Sequence, residues 1–245
     1  MEKQKLRVGT LISGGGTNLQ AIIDACASES IDAKVVFTGS DVPGVKGLDR
    51  ATKAGIPTFV VDYANIINQG REGGLDALLP SDFNLEELHK KQTLLTDVSL
   101  EKAAFFLKTR AVAERALLDA MAAFEMDLLV LAGFMRVLTP YFIDRINTIP
   151  GQHRIMNIHP ALLPSFPGTD GYGDTFRYGC KVGGCTVHFI DYGEDTGPII
   201  GQKAFDIEPG DTLDEVKKKG LVKEWELYPA CIQAFSEEFF AKKAR

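Results

Sequence analysis

The chain has 245 residues, of which 45% are hydrophobic and 24% are charged, a composition typical of a globular protein with an apolar core. Lys and Arg number 27 against 33 Asp and Glu, so the net charge of −6 lacks the basic surplus of a non-specific nucleic-acid binder. No run approaches the roughly 18 apolar residues that cross a bilayer, and residues 1–7 lead into a strand-like run. Membrane and secreted proteins are therefore disfavoured, and a cytoplasmic location is expected.

The first third of the chain alternates strand-like and helix-like segments. Strands are predicted at 6–12, 33–38 and 58–61, and helices at 18–26 and 45–54. After the middle of the chain, helices are predicted at 110–124, 139–146 and 213–243, and extended segments at 128–132, 154–158, 185–190 and 199–205. This alternation predicts an α/β fold with a Rossmann-like, mostly parallel sheet flanked by helices.

Residues 63–108 interrupt the alternation. Their first half is rich in Gly and Asn, and residues 85–91 look helical. We interpret them as a helix-rich insertion in a single catalytic domain spanning 1–245. Lengthening a surface loop costs little closure entropy, so we favour a decoration, meaning an insertion that is tolerated without a function, over a lid or a surface that binds a partner.

A glycine-rich loop follows the first strand, with the sequence Ser13-Gly14-Gly15-Gly16-Thr17-Asn18 before a helix. Glycine lets the backbone approach a ligand, and the free N–H groups of a helix N-terminus favour an anion. The loop lacks the Lys of GxxxxGK[ST] and the third Gly of GxGxxG, which weakens the ATP and dinucleotide interpretations. It predicts a small phosphate site; a tight turn capped by Thr17 or Asn18 is the alternative.

A polar pair occupies alternate positions of the strand at 154–158 and its end. Asn157 and His159 therefore project from the same face. An Asn amide can donate to a developing oxyanion, and a His can exchange a proton near neutral pH, as acyl transfer requires. Satisfied structural side chains are the alternative for this pair.

An acidic turn, Asp191-Tyr192-Gly193-Glu194-Asp195, separates two later apolar runs. A carboxylate in this turn could orient His159 or accept a proton from an attacking amine. A solvated turn is the alternative, since sequence spacing does not show that Asp195 meets His159.

Four segments together resemble the folate-dependent formyltransferases, most closely those that act on glycinamide ribonucleotide. In chain order they are LISGGGTNLQAII, LVLAGFMRVL, NIHPALLPSFPG and CTVHFIDYGEDTGPII. The segment EWELYP, which begins at Glu224, is similar to the family's Glu-His-x-x-Tyr-Pro helix. The resemblance covers nearly the whole chain except the insertion.

The resemblance implies that 10-formyltetrahydrofolate donates a formyl group to the glycinamide amine without a covalent enzyme intermediate. It implies a catalytic trio of Asn157, His159 and Asp195, a phosphate site at Gly16, Thr17 and Asn18, and a substrate contact at Glu224. It places Met135, Arg136, Val137, Leu138, Ile190, Tyr192, Gly193 and Glu194 in the folate pocket, and Arg110 at an anionic ligand group. No metal, nucleic acid or membrane is expected as a partner, and the chain is expected to be a monomer or a homodimer.

Within the family, methionyl-tRNA formyltransferases carry a further C-terminal domain and formyltetrahydrofolate deformylases an N-terminal one, so both are disfavoured. A formyltransferase acting on another amine, such as an amino sugar nucleotide, remains an alternative, as does a non-catalytic metabolite-binding relative. Residues 167–174 depart from the family, because a His that relatives carry there is absent. They are expected to form a loop over the ligands.

The remaining cysteines and histidines do not suggest another site. Cys26, Cys180, Cys185 and Cys231 lack CxxC spacing, which predicts free thiols. His153 and His159 are not at helical ligand spacing, so no metal site is predicted.

Overall fold

One sheet of seven strands runs through the computed structural model, which describes residues 4–243. The strands are β1 (Leu6–Ile12), β2 (Ala33–Ser40), β3 (Thr58–Val60), β4 (Leu128–Leu131), β5 (Ile155–His159), β6 (Val182–Phe189) and β7 (Ile199–Asp206). Their order is β3-β2-β1-β4-β5-β6-β7; the first five are parallel, and β6 is antiparallel to both of its neighbours. The mostly parallel α/β sheet is thus confirmed, while residues 1–3 and 244–245 of the predicted domain lie outside the described part.

Helices cover both faces of this sheet. They are α1 (Thr17–Ala27), α2 (Lys46–Lys53), α3 (Tyr63–Arg71), α4 (Leu85–Lys91), α5 (Leu100–Met121), α6 (Pro140–Ile146), α7 (Gly171–Tyr178) and α8 (Leu213–Lys243), with a short 3-10 helix at Asp76–Leu78. Successive strand residues point to opposite faces, so Val130 packs with α1 and α8 while Leu129 and Leu131 pack with α5 and α6. None of the helices in the described residues is long and apolar enough to cross a membrane.

The strand order reverses beside β1. The chain moves from β1 outward to β3, then returns to β4 on the other side of β1. In open α/β sheets, ligands bind in the crevice beyond the carboxyl ends of the strands at such a reversal. The Gly-rich loop after β1 and the polar side chains at the end of β5 both lie at this edge.

The insertion contains more helix than the Gly- and Asn-rich composition of its first half suggested. Helix α3 lies in the Gly- and Asn-rich stretch, where the Asp62 side chain caps it by accepting from the Asn65 N–H at 3.0 Å. Helix α5 begins at Leu100 rather than at 110, because Ser99 caps it with its hydroxyl oxygen 3.4 Å from the Lys102 nitrogen. The helix-rich character of the insertion is confirmed.

The expectation of a loop throughout residues 167–174 is wrong. Helix α7 begins at Gly171, and only the residues before it form a turn. Added Cβ atoms at Gly171 and Gly173 would lie 2.6 Å from the Pro160 carbonyl oxygen and 2.1 Å from an Asp170 carboxylate oxygen. Close packing against the Pro160 backbone therefore accounts for Gly171, although glycine lowers intrinsic helix propensity.

Candidate active site

The Gly-rich loop joins β1 to α1 with its backbone closely packed. Gly16 has a φ of +68°, and a Cβ there would lie 2.7 Å from the Gly47 Cα. Gly47 in turn donates from its backbone nitrogen to the Gly14 carbonyl at 3.0 Å. Glycine is thus needed at 16 both for its left-handed backbone and for its contact with α2.

The N-terminus of α1 has no side-chain cap. Gly16 occupies the cap position, and neither Thr17 nor Asn18 accepts a capping hydrogen bond. The first intrahelical bond runs from the Gln20 nitrogen to the Gly16 carbonyl. Backbone N–H groups before Gln20 are therefore free of side-chain caps at the positive end of the helix dipole, which suits an anion.

An open cavity of about 280 Å³ is lined by Asn18 of this loop and by the ends of β4 and β5, whereas Gly16 and Thr17 do not line it. One part of its wall is apolar, with Leu131, Phe134, Met135, Val137, Leu138, Ile158 and Ile190. Another part is polar, with Asn18, Asn157, His159, Asp195 and Glu224. The cavity therefore presents an apolar surface and a polar surface side by side.

The predicted catalytic side chains meet in this cavity. Asn157 and His159 both face it from β5, and Asp195 reaches it from the turn before β7. The His159 Nδ1 lies 3.1 Å from the Asp195 Oδ2. This contact, which the spacing in the sequence did not show, joins residues 36 positions apart.

His159 is held through both of its ring nitrogens. Its Nε2 lies 2.7 Å from the Phe166 carbonyl oxygen, on the side away from Asp195. A carbonyl oxygen and an ionised carboxylate can only accept hydrogen bonds. Each ring nitrogen therefore faces an acceptor, and these two contacts fix the orientation of the ring.

Asp195 has the environment of an ionised carboxylate. Burial alone would raise its pKa, but hydrogen bonds from the His188 ring and the Gly168 N–H, with the charge of His159, hold the pKa below its ordinary value. The Gly168 nitrogen donates to the Asp195 Oδ2 at 2.9 Å. The negative charge of Asp195 beside His159 is thus itself stabilised.

His188 is a site residue that the sequence analysis did not assign. It is fully buried on β6, directly across from Asn157 in the antiparallel pair. Its Nε2 lies 3.3 Å from the Asn157 Nδ2 and 3.5 Å from the Asp195 Oδ1, while Nδ1 donates to the Phe189 carbonyl at 2.9 Å. The His188 ring therefore lies against both the Asn157 amide and the Asp195 carboxylate.

Glu224 is buried at the polar end of the cavity between two donors. The Asn18 Nδ2 and the Tyr172 hydroxyl each donate to one of its oxygens at 2.7 Å. Burial raises the pKa of Glu224, and these two hydrogen bonds and the His159 charge oppose the rise. The Asn18 Oδ1 is buried and has no partner among the described residues, so it can accept a hydrogen bond from a ligand.

Glu224 is positioned by helix α8. Tyr228, one helical turn later, lies with its hydroxyl 3.0 Å from the carbonyl oxygens of both Leu131 and Met156. This contact anchors α8 on β4 and β5. Tyr172, which comes from α7 in the departing segment, is a second contact that the sequence did not indicate.

The turn after β4 forms the apolar wall. The Met135 nitrogen donates to the Ser13 hydroxyl at 2.7 Å, which ties this turn to the Gly-rich loop. Met135 is 65% exposed and Val137 38% exposed, so apolar side chains face solvent at the rim. The side chain of Arg136 is paired with the buried Asp41.

The loop after β6 supplies the opposite wall through Ile190, Gly193 and Glu194. Tyr192 does not line the cavity; its hydroxyl donates to Asp144 on α6. Thus the structure brings seven of the eight predicted folate-pocket residues to one cavity and leaves Tyr192 on the outer side of the loop.

Arg110 lies outside this cavity. Its guanidinium carbon is 5.2 Å from the centre of the Tyr63 ring and 4.7 Å from that of Phe106. Burial lowers its pKa, and the nearby Tyr63 and Glu114 oppose that shift. An anionic ligand would have to reach this buried position for the expected contact to form.

The described residues contain no group of three or more His, Cys, Asp or Glu side chains that could hold a metal ion. All four cysteines are free thiols, and burial raises the pKa of Cys26, Cys185 and Cys231.

Comparison with known proteins matches residues 6–232 to the formyl transferase family. The phosphoribosylglycinamide formyltransferase of Bacillus subtilis is 33% identical over 221 residues, which cover 90% of each chain. The trifunctional purine biosynthetic protein adenosine-3 of Bos taurus is 33% identical over 95% of this chain, but the match spans only 18% of that protein.

Solved structures give the same similarity. Glycinamide ribonucleotide transformylase 1 from Symbiobacterium toebii aligns over 97% of this chain and 90% of its own, with 34% identity and a TM-score of 0.71. The phosphoribosylglycinamide formyltransferase of Coxiella burnetii, in complex with CHES, aligns over 96% of this chain and 88% of its own, with 27% identity and a TM-score of 0.72.

Proposed function

Because the chain belongs to the formyl transferase family, we propose that it transfers the formyl group of 10-formyltetrahydrofolate to the amine of glycinamide ribonucleotide. The products are formylglycinamide ribonucleotide and tetrahydrofolate, a step of de novo purine biosynthesis. The observation that carries this proposal is the meeting of Asn157, His159 and Asp195 between an uncapped helix N-terminus and an apolar wall.

The acceptor occupies the polar end of the cavity in this proposal. Its phosphate binds the backbone of Gly16, Thr17 and Asn18, where α1 offers N–H groups without side-chain caps. Its ribose or glycinamide portion donates to Glu224 and to the free Asn18 Oδ1. This division gives Asn18 two functions, one through its backbone and one through its side chain.

The donor occupies the apolar end. Its ring system packs against the turn that contains Met135, Val137 and Leu138, with the loop of Ile190, Gly193 and Glu194 on the other side. The Arg136 guanidinium is paired with Asp41, so the polar groups of the donor contact the backbone around Arg136 instead of its side chain. The formyl group then lies at the junction of the two ends, next to His159.

In the reaction the glycinamide nitrogen attacks the formyl carbon and forms a C–N bond, giving a tetrahedral intermediate with a negative oxygen. The Asn157 amide and the His159 Nε2–H, released from the Phe166 carbonyl, donate to that oxygen. The intermediate collapses when the bond from the formyl carbon to folate N10 breaks. The proton lost by the amine passes to Asp195, directly or through water, and Asp195 returns it to N10 as that nitrogen leaves, so the carboxylate is regenerated.

We further infer that residues 1–245 form one catalytic unit, since strands from both sides of the insertion join one sheet. A cytoplasmic location and a monomeric or homodimeric state remain predictions.

A spectrophotometric assay with 10-formyltetrahydrofolate and glycinamide ribonucleotide tests the proposal. Formation of tetrahydrofolate should require the acceptor and should fall by ~10²-fold or more in Asp195→Asn, because a neutral amide no longer places a negative charge beside His159 or accepts the proton of the amine. Asp206→Asn, an exposed carboxylate at the end of β7, is the matched control and should behave as wild type. Loss of the formyl group without acceptor would indicate a hydrolase, and transfer only to an amino sugar nucleotide would indicate a different acceptor.

A further inference from the structure

The insertion reaches the loop that follows β6, on the side away from the cavity. We propose that residues 91–93 of the insertion act as a clasp that fixes this loop and thereby increases affinity for the formyl donor. The inference rests on the proposed function, since it assigns Lys91 and Thr93 as positioning residues for that reaction. It gives the insertion a function, whereas the sequence analysis favoured a tolerated decoration over a lid or a partner surface.

The clasp holds Tyr192 at two points. The Thr93 hydroxyl donates to the Tyr192 carbonyl oxygen at 3.1 Å. The Lys91 Nζ lies 2.9 Å from the Asp144 Oδ2, and the other oxygen of Asp144 accepts from the Tyr192 hydroxyl. Both the backbone and the side chain of Tyr192 are thus connected to the insertion.

The clasp itself is anchored at the end of α4. Lys91 also pairs with Glu87 one turn earlier at 2.7 Å, and hydrogen bonds to Glu87 and Asp144 raise the pKa of Lys91. The buried Gln92 accepts from the backbone nitrogens of Leu94 and Leu95, both at 2.7 Å. The chain that presents Thr93 is therefore an ordered turn.

The inner side of the loop carries functional groups. Gly193 and Glu194 line the cavity, and Asp195 follows as the partner of His159. Within the loop, the Asp191 side chain accepts from the Gly193 nitrogen at 3.0 Å and from the Thr196 hydroxyl at 2.7 Å. These bonds shape the loop, while the clasp connects it to the rest of the molecule from outside.

Loosening the clasp should affect one ligand more than the other. A donor that packs against a mobile loop must order that loop on binding, which reduces affinity. The acceptor binds at α1 and α8, which the clasp does not touch. The structure thus predicts a change in donor affinity without a matching change in acceptor affinity.

The test is the double variant Lys91→Met with Thr93→Val, compared with wild type in steady-state kinetics. Loss of two exposed or half-buried hydrogen bonds should raise the donor KM by about three- to tenfold, with the acceptor KM unchanged. Lys91→Arg, which keeps the positive charge, should retain the wild-type donor KM. Lys108→Met is the matched control, because Lys108 pairs with Asp76 at 2.6 Å elsewhere in the insertion.

Hydrogen exchange at the backbone of residues 192–195 gives a second readout that does not depend on activity. Exchange should be faster in the double variant and unchanged in the Lys108→Met control. An unchanged donor KM, unchanged exchange, or an equal rise in both KM values would overturn the proposal. If the wild-type protein transfers no formyl group, the proposed function fails, and exchange together with calorimetric binding of 10-formyltetrahydrofolate still decides whether the clasp exists.

Discussion

Replacing Tyr172 with Phe removes one hydroxyl group beside Glu224 and leaves the aromatic ring in place. That hydroxyl donates to the Glu224 Oε1 at 2.7 Å in a buried environment. The ring packs edge-on against Phe205 with centroids 6.0 Å apart, and it lies so close to Gly220 that an added Cβ would be 2.2 Å from it. Packing should therefore survive the change, and only the donor to Glu224 is lost.

The magnitude follows from the burial and charge of Glu224. A hydrogen bond to a charged group contributes about 1.5–3 kcal/mol, which corresponds to about 10- to 150-fold in affinity. Asn18 still donates to the other oxygen, so we expect the lower end, a rise of about tenfold in the acceptor KM. The pKa of Glu224 should also rise further in the variant, because in wild type the hydrogen bond from Tyr172 opposes the effect of burial.

The assay is a double-mutant cycle on the acceptor KM with Glu224→Gln as the second change. If Tyr172 acts through Glu224, Tyr172→Phe should have a much smaller effect in the Glu224→Gln background. Tyr178→Phe is the matched control, since Tyr178 lies on the same helix and is 80% exposed. Equal effects of Tyr172→Phe in both backgrounds, or a rise in the donor KM alone, would refute this reasoning.

Two further predictions concern stability. Burial raises the pKa of Glu114 to about 8 against the hydrogen bonds from Thr139 and the charge of Arg110, whereas the unfolded value is about 4.3. The protonated Glu114 stabilises the fold fully below the unfolded pKa, and this contribution is lost as pH rises through about 8. Glu114→Gln cannot ionise, so the difference between its unfolding free energy and that of wild type should increase by on the order of 3 kcal/mol from about pH 5.5 to about pH 8. Denaturant unfolding measures this difference, and a pH-independent difference would contradict the assignment. Gly47→Ala would place a Cβ 2.3 Å from the Ile12 Cδ1 and should lower the unfolding free energy by about 1–3 kcal/mol. It should also raise the acceptor KM, because Gly47 donates to Gly14 in the Gly-rich loop where we propose that the phosphate binds; unchanged unfolding and kinetics would show that this contact has no such role.

Elements with a strong local pattern were predictable from the sequence. The limits of β1, α4 and α8 agree with the structure, because an apolar or amphipathic run and its flanking residues define each of them. Helix α7 was not predictable, since Gly171 and Gly173 disfavour a helix and the close contact of Gly171 with the Pro160 backbone is made only in the folded chain.

The site was predictable as a set of residues but not as a network. Asn157 and His159 are two positions apart on one strand, so their common face follows from strand geometry. The place of His188 depends on its antiparallel register with Asn157, which no local pattern specifies. Tyr172 and Thr93 likewise gain their roles from contacts between elements far apart in the chain.

The most direct test of the catalytic assignment is the single-turnover rate of formyl transfer in Asn157→Ala, measured with both ligands saturating. Loss of one oxyanion donor should lower this rate by ~10²–10³-fold, while the dissociation constants of donor and acceptor change little. Asn65→Ala, a surface substitution on α3 away from the cavity, should keep the wild-type rate. An unchanged rate in Asn157→Ala, or a loss explained entirely by weaker binding, would contradict the claim that this amide stabilises the tetrahedral oxyanion.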